Sequence, residues 1–503
     1  MLICFVSAVL AATCPAQSAH RQPECKLLLE SSDTRLVEAF NWAKQQAMAY
    51  VFDGDPVGPW YEAALPGREA FCMRDVSHQA TGAHALGLSR HNLNMLRRFA
   101  ENISESRDWC SYWEIDRYNR PAPVDYKNDA EFWYNLPANF DVLDCCYCMY
   151  LWTGDLTYIN DPVFLNFYDR TVSDYVERWD LGLDRVMKRN RLMNVRGVFD
   201  PSKKFPFYRG DPSYDESHEE YSVGVDLLAT QYAAYLAYAR IQEHRGNEEA
   251  ARTYLKKATD VKDLVNKAWW DEKTRQFYSI LDKDHRFQGH AGAQLLYRNV
   301  ADDGPKAQGA LDHLLDAIKK RPSSDVEGES HHAEILYRYG VPDLAYAQIM
   351  DLTREDRDRR EYPEVSYSVI GAIVTGTMGI TVDPASLLQA AVEGTYVAGV
   401  VNTLPRLTTQ TAWAELHNLP IRTNEVSVRH EGVRKTVFSN HRGPSLIWQA
   451  AFPGSSDTLL VNGKPMKASP GKEYLGRVTS WVRVPVGAGG AVRVEVPKRG
   501  DGQ

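Results

Sequence analysis

The stretch Glu69-Ala-Phe-Cys-Met-Arg-Asp-Val-Ser-His78 contains a pair, Arg74-Asp75, whose chemistry suits a sugar. Arginine offers a fixed fork of donors and aspartate two acceptors, so the pair can hold neighbouring hydroxyls of one ring. An isolated Arg-Asp more often pins a helix start as a salt bridge, and its meaning here depends on what accompanies it. Downstream, a long loop from Arg107 to Trp133 interleaves aromatics with charges: Trp113-Glu114-Ile-Asp116-Arg117, then Arg120-Pro-Ala-Pro-Val-Asp125-Tyr126. Aromatic faces pack on the C–H faces of sugars, while acids and arginines bind hydroxyls. Candidate substrate contacts are therefore Arg74, Asp75, His78, Trp113, Glu114, Asp116, Arg117, Tyr126 and Trp133. Two acidic clusters follow, Tyr214-Asp-Glu216-Ser-His218-Glu219-Glu220 and Arg360-Glu361-Tyr-Pro-Glu364-Val-Ser-Tyr367.

These residues need a scaffold, and hydrophobic spacing supplies one. Ser77 is placed to cap a helix running to about Ser104, with Leu86, Leu93, Leu96, Phe99 and Ile103 on one face, which leaves Arg74-Asp75 in a loop mouth. A first helix is expected over 35–51, and others over 138–152 and 162–179, the latter capped by Asp161 with Pro162 at its first position. Two antiparallel helices joined at Gly246 follow the first acidic cluster. Further helical runs are expected near 290–300, 306–320, 331–339, 342–352, 365–379 and 384–398. Short connections alternate with long, aromatic, charged ones, as in helical hairpins stacked into a toroid. After Pro420 the period changes to two: Val426/Val428, Leu446/Trp448/Ala450, Val482/Val484/Val486 and Val492/Val494/Val496 alternate between turn residues. The expected architecture is mainly α, a toroid of helical hairpins over 20–415 followed by a small antiparallel β-sandwich over 421–497.

Composition narrows the function classes. With 503 residues, 44% hydrophobic and 25% charged, the chain reads as an ordinary globular protein of a large and a smaller domain. A net charge of -8 lacks the basic footprint of a nucleic-acid binder. Residues 1–19 carry an apolar run followed by small residues, the plan of a secretory signal peptide too short to span a membrane, which points to a secreted or periplasmic protein. Cys145-Cys146-x-Cys148 lies in an apolar helical run without a second cluster at zinc spacing, so buried structural thiols are expected and no metal. His331-His332 read as helix caps. The basic run from Lys188 to Arg209 reads as a solvated loop, or, folded over a pocket, as a preference for an acidic sugar. No glycine-rich phosphate loop follows a strand, and no cofactor is expected.

The order of these features resembles the six-hairpin glycosidases, the (α/α)6-barrel superfamily that includes glucoamylases, trehalases and α-L-rhamnosidases. Arg74-Asp75 is similar to the Arg-Asp with which glucoamylases grip the terminal sugar. His218-Glu219-Glu220, with Gln231 further along the helix, is similar to the Trp-Glu-Glu and downstream Gln that carry their general acid, with His in place of Trp. The resemblance implies Glu219 as general acid, with Glu216 and Glu220 as alternatives, and Glu220 as a substrate contact. It implies Glu364 as general base, with Glu361 and Glu329 as alternatives. Inverting hydrolysis needs such a pair, a protonated carboxyl at the leaving oxygen and an ionised one activating water on the opposite face. Glu219 beside Glu220 has a like charge to raise its pKa, as an acid requires. The implied function is an exported, exo-acting glycoside hydrolase acting on a carbohydrate. A polysaccharide lyase or sugar epimerase on the same barrel, using Tyr or His for proton abstraction, and a non-catalytic glycan-binding protein are the alternatives. The oligomeric state is open.

Overall fold

A computed structural model describes residues 25–190, 209–215, 221–320, 326–383 and 398–497. The leader, the expected helix over 384–398 except its last residue, and the acids Glu216, Glu219 and Glu220 lie outside these residues.

Two helices, Pro137–Thr153 and Val225–His244, are buried on nearly every side. That is where their all-round apolar sequences place them. Glu248–Ala268 buries only one stripe, including Ala258, Val261 and Val265, and lies outside Val225–His244. The pattern repeats through the helical region. Met73–Ala85 packs on Pro137–Thr153, which packs on Val225–His244, then Ala293–Tyr297, then His332–Arg338. The π-turn Ala372–Thr377 links His332–Arg338 to Pro363–Gly371, and Pro363–Gly371 packs back on Met73–Ala85. Each member of this circuit also touches a second helix: Ser89–Glu101, Pro162–Val172, Glu248–Ala268, Pro305–Lys320, Pro342–Leu352 and Thr34–Ala49 respectively.

The contact that closes the circuit depends on a missing side chain. A Cβ at Gly82 would stand 2.1 Å from the carbonyl oxygen of Tyr367, and Gly371 faces Gly82 from the other helix. Only glycine allows the two backbones this close.

Several boundaries differ from the sequence expectation. The helix expected from Ser77 begins at Met73, so Arg74 and Asp75 occupy its first turn rather than a loop mouth. Ser77 does not cap it; its hydroxyl donates to the Met73 carbonyl at 2.8 Å. Asp75 in that first turn meets the positive end of the helix dipole, which substitutes for a cap. The run to Ser104 is broken at Gly87, whose φ of +89° turns the chain into a second helix, Ser89–Glu101. The 162–179 run breaks at Ser173, although Asp161 does accept from Val163 N as expected. The 290–300 run opens with the end of a strand, Phe287–Ala291, paired with Gln276–Asp282, before a short helix Ala293–Tyr297. His331 holds the N-cap position of His332–Arg338 but has helical dihedrals and makes no side-chain cap bond, and His332 is the first residue of the helix rather than its cap. Cys145, Cys146 and Cys148 are free thiols inside Pro137–Thr153, and burial holds all three above their usual pKa.

Two sheets cover the C-terminal part. Trp413–Ile421, Asn424–Glu431, Lys435–Arg442 and Gly490–Glu495 pair in sequence as antiparallel neighbours in one sheet. Leu446–Pro453 and Val478–Val486 pair antiparallel in the other, and Ala398–Thr403 adds to Leu446–Pro453 in parallel. Phe438 of one sheet stacks on Trp448 of the other, ring centroids 5.3 Å apart, in the core between them. The N-terminal strand Leu28–Ser31 pairs with Trp413–Ile421, so the chain is stitched to this sheet before it enters the first helix. Among the described residues, no helix is long and apolar enough to cross a membrane.

Two buried histidines fasten helices to sheets. His84 Nε2 donates to the Pro420 carbonyl at 2.9 Å and Nδ1 accepts from Ser89 Oγ at 2.8 Å. His430 Nε2 donates to the Met378 carbonyl at 2.9 Å and its Nδ1 lies 2.8 Å from Thr436 Oγ1. A carbonyl can only accept, so each neutral ring has its proton on Nε2. Burial pushes both imidazoles down to about 4.

Two outcomes test this packing. Gly82→Ala should cost about 1–3 kcal/mol, because a methyl driven against backbone forces the helices apart; urea denaturation measures it. The second concerns acid. A histidine whose folded pKa is depressed stabilises fully above its unfolded value and loses that stability as pH falls. His84 and His430 together should therefore make stability fall between pH 6.5 and 4, on the order of 3 kcal/mol each. His430→Gln should flatten that slope in denaturation midpoints measured against pH.

Candidate active site

A cavity of about 360 Å³ lies where helices of the circuit begin. Arg74 comes from the start of Met73–Ala85, Asp226 from the first turn of Val225–His244, and Gly292, Ala293 and Gln294 from the start of Ala293–Tyr297. His331 and His332 open His332–Arg338, and Glu364 sits in the first turn of Pro363–Gly371. Ser213, Tyr214 and Asp215, from the connection ahead of Val225–His244, line the cavity as well. Helix N-termini carry partial positive charge, which favours the ionised carboxylates in their first turns.

The floor is a buried charge network. Arg298 bonds Asp141 Oδ1 and, at 2.7 Å, Asp144 Oδ2, and its Nη2 stands 3.1 Å from His78 Nε2. His78 Nε2 is also 3.2 Å from Asp141 Oδ2, which accepts from the Tyr214 hydroxyl as well. Burial would raise the Asp141 carboxyl, but Arg298, His78 and Tyr214 hold it below its usual range. Burial pushes His78 down in spite of Asp141, and pushes His331 well down with help from His78 and Arg298. The His78 and His331 rings meet edge to face at 4.4 Å, with Tyr297 5.0 Å from His331. Behind them lies a second cavity of about 340 Å³, lined by Asp144, Cys148, Tyr232 and Arg338, so the two imidazoles partition a longer space.

One wall is aromatic. The Arg74 guanidinium lies 6.0 Å from the Trp113 ring and 5.6 Å from the Tyr214 ring, and its Nε is 3.1 Å from Asp75 Oδ1. Asp226 accepts from Tyr214 N at 2.6 Å and Ser213 Oγ at 3.0 Å, and burial raises its pKa to about 6. Glu364 is 3% exposed. The ligand atoms of His78, His331 and Glu364 all lie within 4.8 Å of one another.

Of the residues singled out from sequence, Arg74, His78 and Glu364 line the cavity, and Asp75 and Trp113 touch Arg74. The others build the loop beside it. Glu114 holds Arg68 at 2.9 Å, and burial drives its carboxyl well above the usual range. Asp116 accepts from Tyr118 N and Arg120 N at 2.9 and 3.0 Å, closing a turn. Arg117 bridges Asp55 and Glu69, each at 2.7 Å. The Tyr126 hydroxyl donates to Asp129 at 2.6 Å, and Trp133 Nε1 to Asn135 at 2.7 Å. Glu361 is exposed just ahead of Pro363–Gly371, its carbonyl accepting from Gln46, and Glu329 pairs with Arg357. Glu219 and Glu220 are outside the described residues, but the residues flanking their segment are tied together: Tyr221 OH donates to Asp215 Oδ2 at 3.1 Å, and Asp215 lines the cavity. In the basic run, Arg189 is buried against the carbonyls of Trp179 and Ser222, and Arg209 against Asp108.

Sequence reasoning missed Asp141, Asp226 and Arg298. Asp141 and Arg298 each sit in segments read for their apolar spacing, where one charge carries no local signal. Asp226, one residue into its helix after Gly224, was visible as a first-turn acid.

No family model and no curated protein matches this chain. Solved structures do. An α-L-rhamnosidase from Dictyoglumus thermophilum superimposes with a TM-score of 0.57 at 14% identity, over 94% of this chain and 50% of that one. The chain has a glycoside hydrolase fold. A GH78 family rhamnosidase of Bacillus sp. GL1 gives 0.53 at 12% identity, over 84% of this chain and 41% of that one. A metal-independent α-mannosidase from Streptococcus pneumoniae gives 0.50 at 10% identity, over 67% and 93%. The chain spans half or less of the length of these rhamnosidases.

Arg298→Met should destabilise the protein by roughly 3–5 kcal/mol, because it leaves Asp141 buried without its cation. Guanidinium denaturation of variant and parent gives the difference.

Proposed function

We propose that the protein is an exo-acting glycoside hydrolase built on an (α/α)6 barrel, using two carboxylates and inverting the anomeric centre. The observation that carries the reading is the meeting of Arg74, Asp226 and Glu364, remote along the chain, around one cavity. Six inner segments, each backed by an outer helix, support the barrel. A cavity of this volume at one end of the helices suits a terminal sugar, held by Arg74 with Asp75 and flanked by Trp113 and Tyr214.

Glu364 is the general base on sequence grounds, and its place in the cavity wall, in the first turn of Pro363–Gly371, supports that assignment. Glu219 is the general acid on sequence grounds, and the cavity-lining residues on either side of its segment, Asp215 and Asp226, support that assignment. Asp226, raised to about 6 by burial, is the alternative acid within the described residues, although both its oxygens are engaged.

The described cations favour a neutral sugar, with Arg191, Arg196, Lys203 and Lys204 of the basic run outside the described residues. Arg298 is matched by two carboxylates and Arg74 by Asp75, while Arg189 and Arg209 are used inside the fold. None of these four offers an unmatched positive charge to a uronate. Rhamnosidases among the solved structures of like fold put α-L-rhamnosides first on the panel to be tried.

The test is release of p-nitrophenol from a panel of aryl glycosides including α-L-rhamnoside, α-D-mannoside, α-D-glucoside and β-D-glucuronide. A neutral glycoside should be cleaved, and Glu364→Gln should lower kcat on it by about 100- to 10,000-fold. Cleavage unchanged in that variant removes Glu364 from the mechanism. Turnover of the glucuronide alone would overturn the neutral-sugar reading.

A further inference from the structure

The cavity floor carries a donor set that sugar hydrolysis by two carboxylates does not call for. His78, His331 and Glu364 are all buried, come from three different helical segments, and bring one ligand atom each within 4.8 Å of the other two. Two imidazoles and a carboxylate are the donors that zinc and its first-row neighbours take. We propose that His78, His331 and Glu364 form a binding site for one divalent transition-metal ion.

Two further observations support the assignment. His78 Nδ1 is buried without any hydrogen-bond partner, whereas its Nε2 is engaged by Asp141. A buried ring nitrogen left unsatisfied costs free energy that a metal bond would recover. A carboxylate on the far nitrogen of a histidine is also the arrangement that orients metal ligands and raises their basicity. Second, His78 and His331 are both buried and their rings meet edge to face at 4.4 Å, so the two imidazoles already stand side by side at the cavity floor. Zinc holds histidine nitrogens at about 2.0–2.1 Å, so the three donors must draw together by on the order of 1 Å, within the reach of side-chain rotation. The open face of the cavity leaves room for water as a further ligand.

Sequence spacing gave no sign of this site because its ligands are scattered over positions 78, 331 and 364. Binding of the ion does not depend on the proposed reaction. One consequence does: a carboxylate that ligates an ion cannot take a proton from water, so occupancy switches off Glu364 as a base.

The experiment uses the full chain dialysed against a chelator and titrated with cobalt(II) chloride. One equivalent should bind per chain at micromolar concentration or tighter, with visible absorption bands of ligand-field origin that zinc chloride displaces. His331→Ala and Glu364→Gln should each weaken binding by roughly 100-fold, while His332→Ala, beside the site but outside the donor set, should not. Circular dichroism establishes that each variant is folded, and Glu364→Gln, nearly isosteric, keeps the test open if His331→Ala unfolds. No saturable cobalt band, or a band that survives in both folded variants, overturns the site. Cobalt binding without hydrolysis of any aryl glycoside would sink the proposed reaction and leave the metal site standing. Hydrolysis that persists with one equivalent of zinc bound would separate Glu364 from the base.

Discussion

The close crossing of Met73–Ala85 and Pro363–Gly371 at Gly82 and Gly371 is the constraint from which the rest of the helical region follows. These helices are the first and last of the inner circuit, separated by nearly three hundred residues, and they touch backbone to backbone. Between them the chain can only run round, so every intermediate helix is fixed in order by its two neighbours. The crossing also decides the chemistry, because Arg74 and His78 lie on one of these helices and Glu364 on the other. Loosening the crossing would separate the cavity wall from its carboxylate.

A second constraint runs perpendicular to the first. The inner segments that line the cavity present their N-terminal ends to it, and the connections that precede those ends are long and rich in aromatics and charge. Much of that charge does not face a ligand. Arg117 with Asp55 and Glu69, Asp116 with Arg120, and Glu114 with Arg68 pair within or just beneath the loops. Such pairs contribute little each where exposed, but buried ones must be matched because an uncompensated charge is costly. The result is a rim stiff enough to hold Trp113 against Arg74.

The floor illustrates the same rule at higher stakes. Arg298 with Asp141 and Asp144 puts three charges where water is scarce, and the arrangement stands because each has a partner of opposite sign. His78 is drawn into the network on one ring nitrogen and leaves the other unsatisfied. A buried network with unmatched atoms, here His78 Nδ1 and Arg298 Nε, is where function is to be sought, since packing alone would have filled the position with an apolar side chain.

The sequence by itself determined the kinds of element and the character of the rim. Periodicity of 3.6 placed the helices over 306–320 and 342–352 to within a residue, and periodicity of two found the strands after Pro420, because both signals are local. It also singled out Arg74, His78 and Glu364, which do meet. It misjudged where a helix begins near Arg74, since a first turn held by Asp75 and the dipole lacks a conventional cap. The strands Gln276–Asp282 and Phe287–Ala291 were not legible, because their pairing depends on each other rather than on a clean alternation in either. What only the tertiary structure decided is which polar residues share a cavity and which are matched in the wall. Glu114, Asp116 and Arg117 look the same as Arg74 along the chain, and only folding decides that they pair within the loops while Arg74 lines the cavity. Partners distant in sequence, such as Asp141, Arg298 and His331, leave no mark on local spacing, and only closure of the helix circuit brings them together.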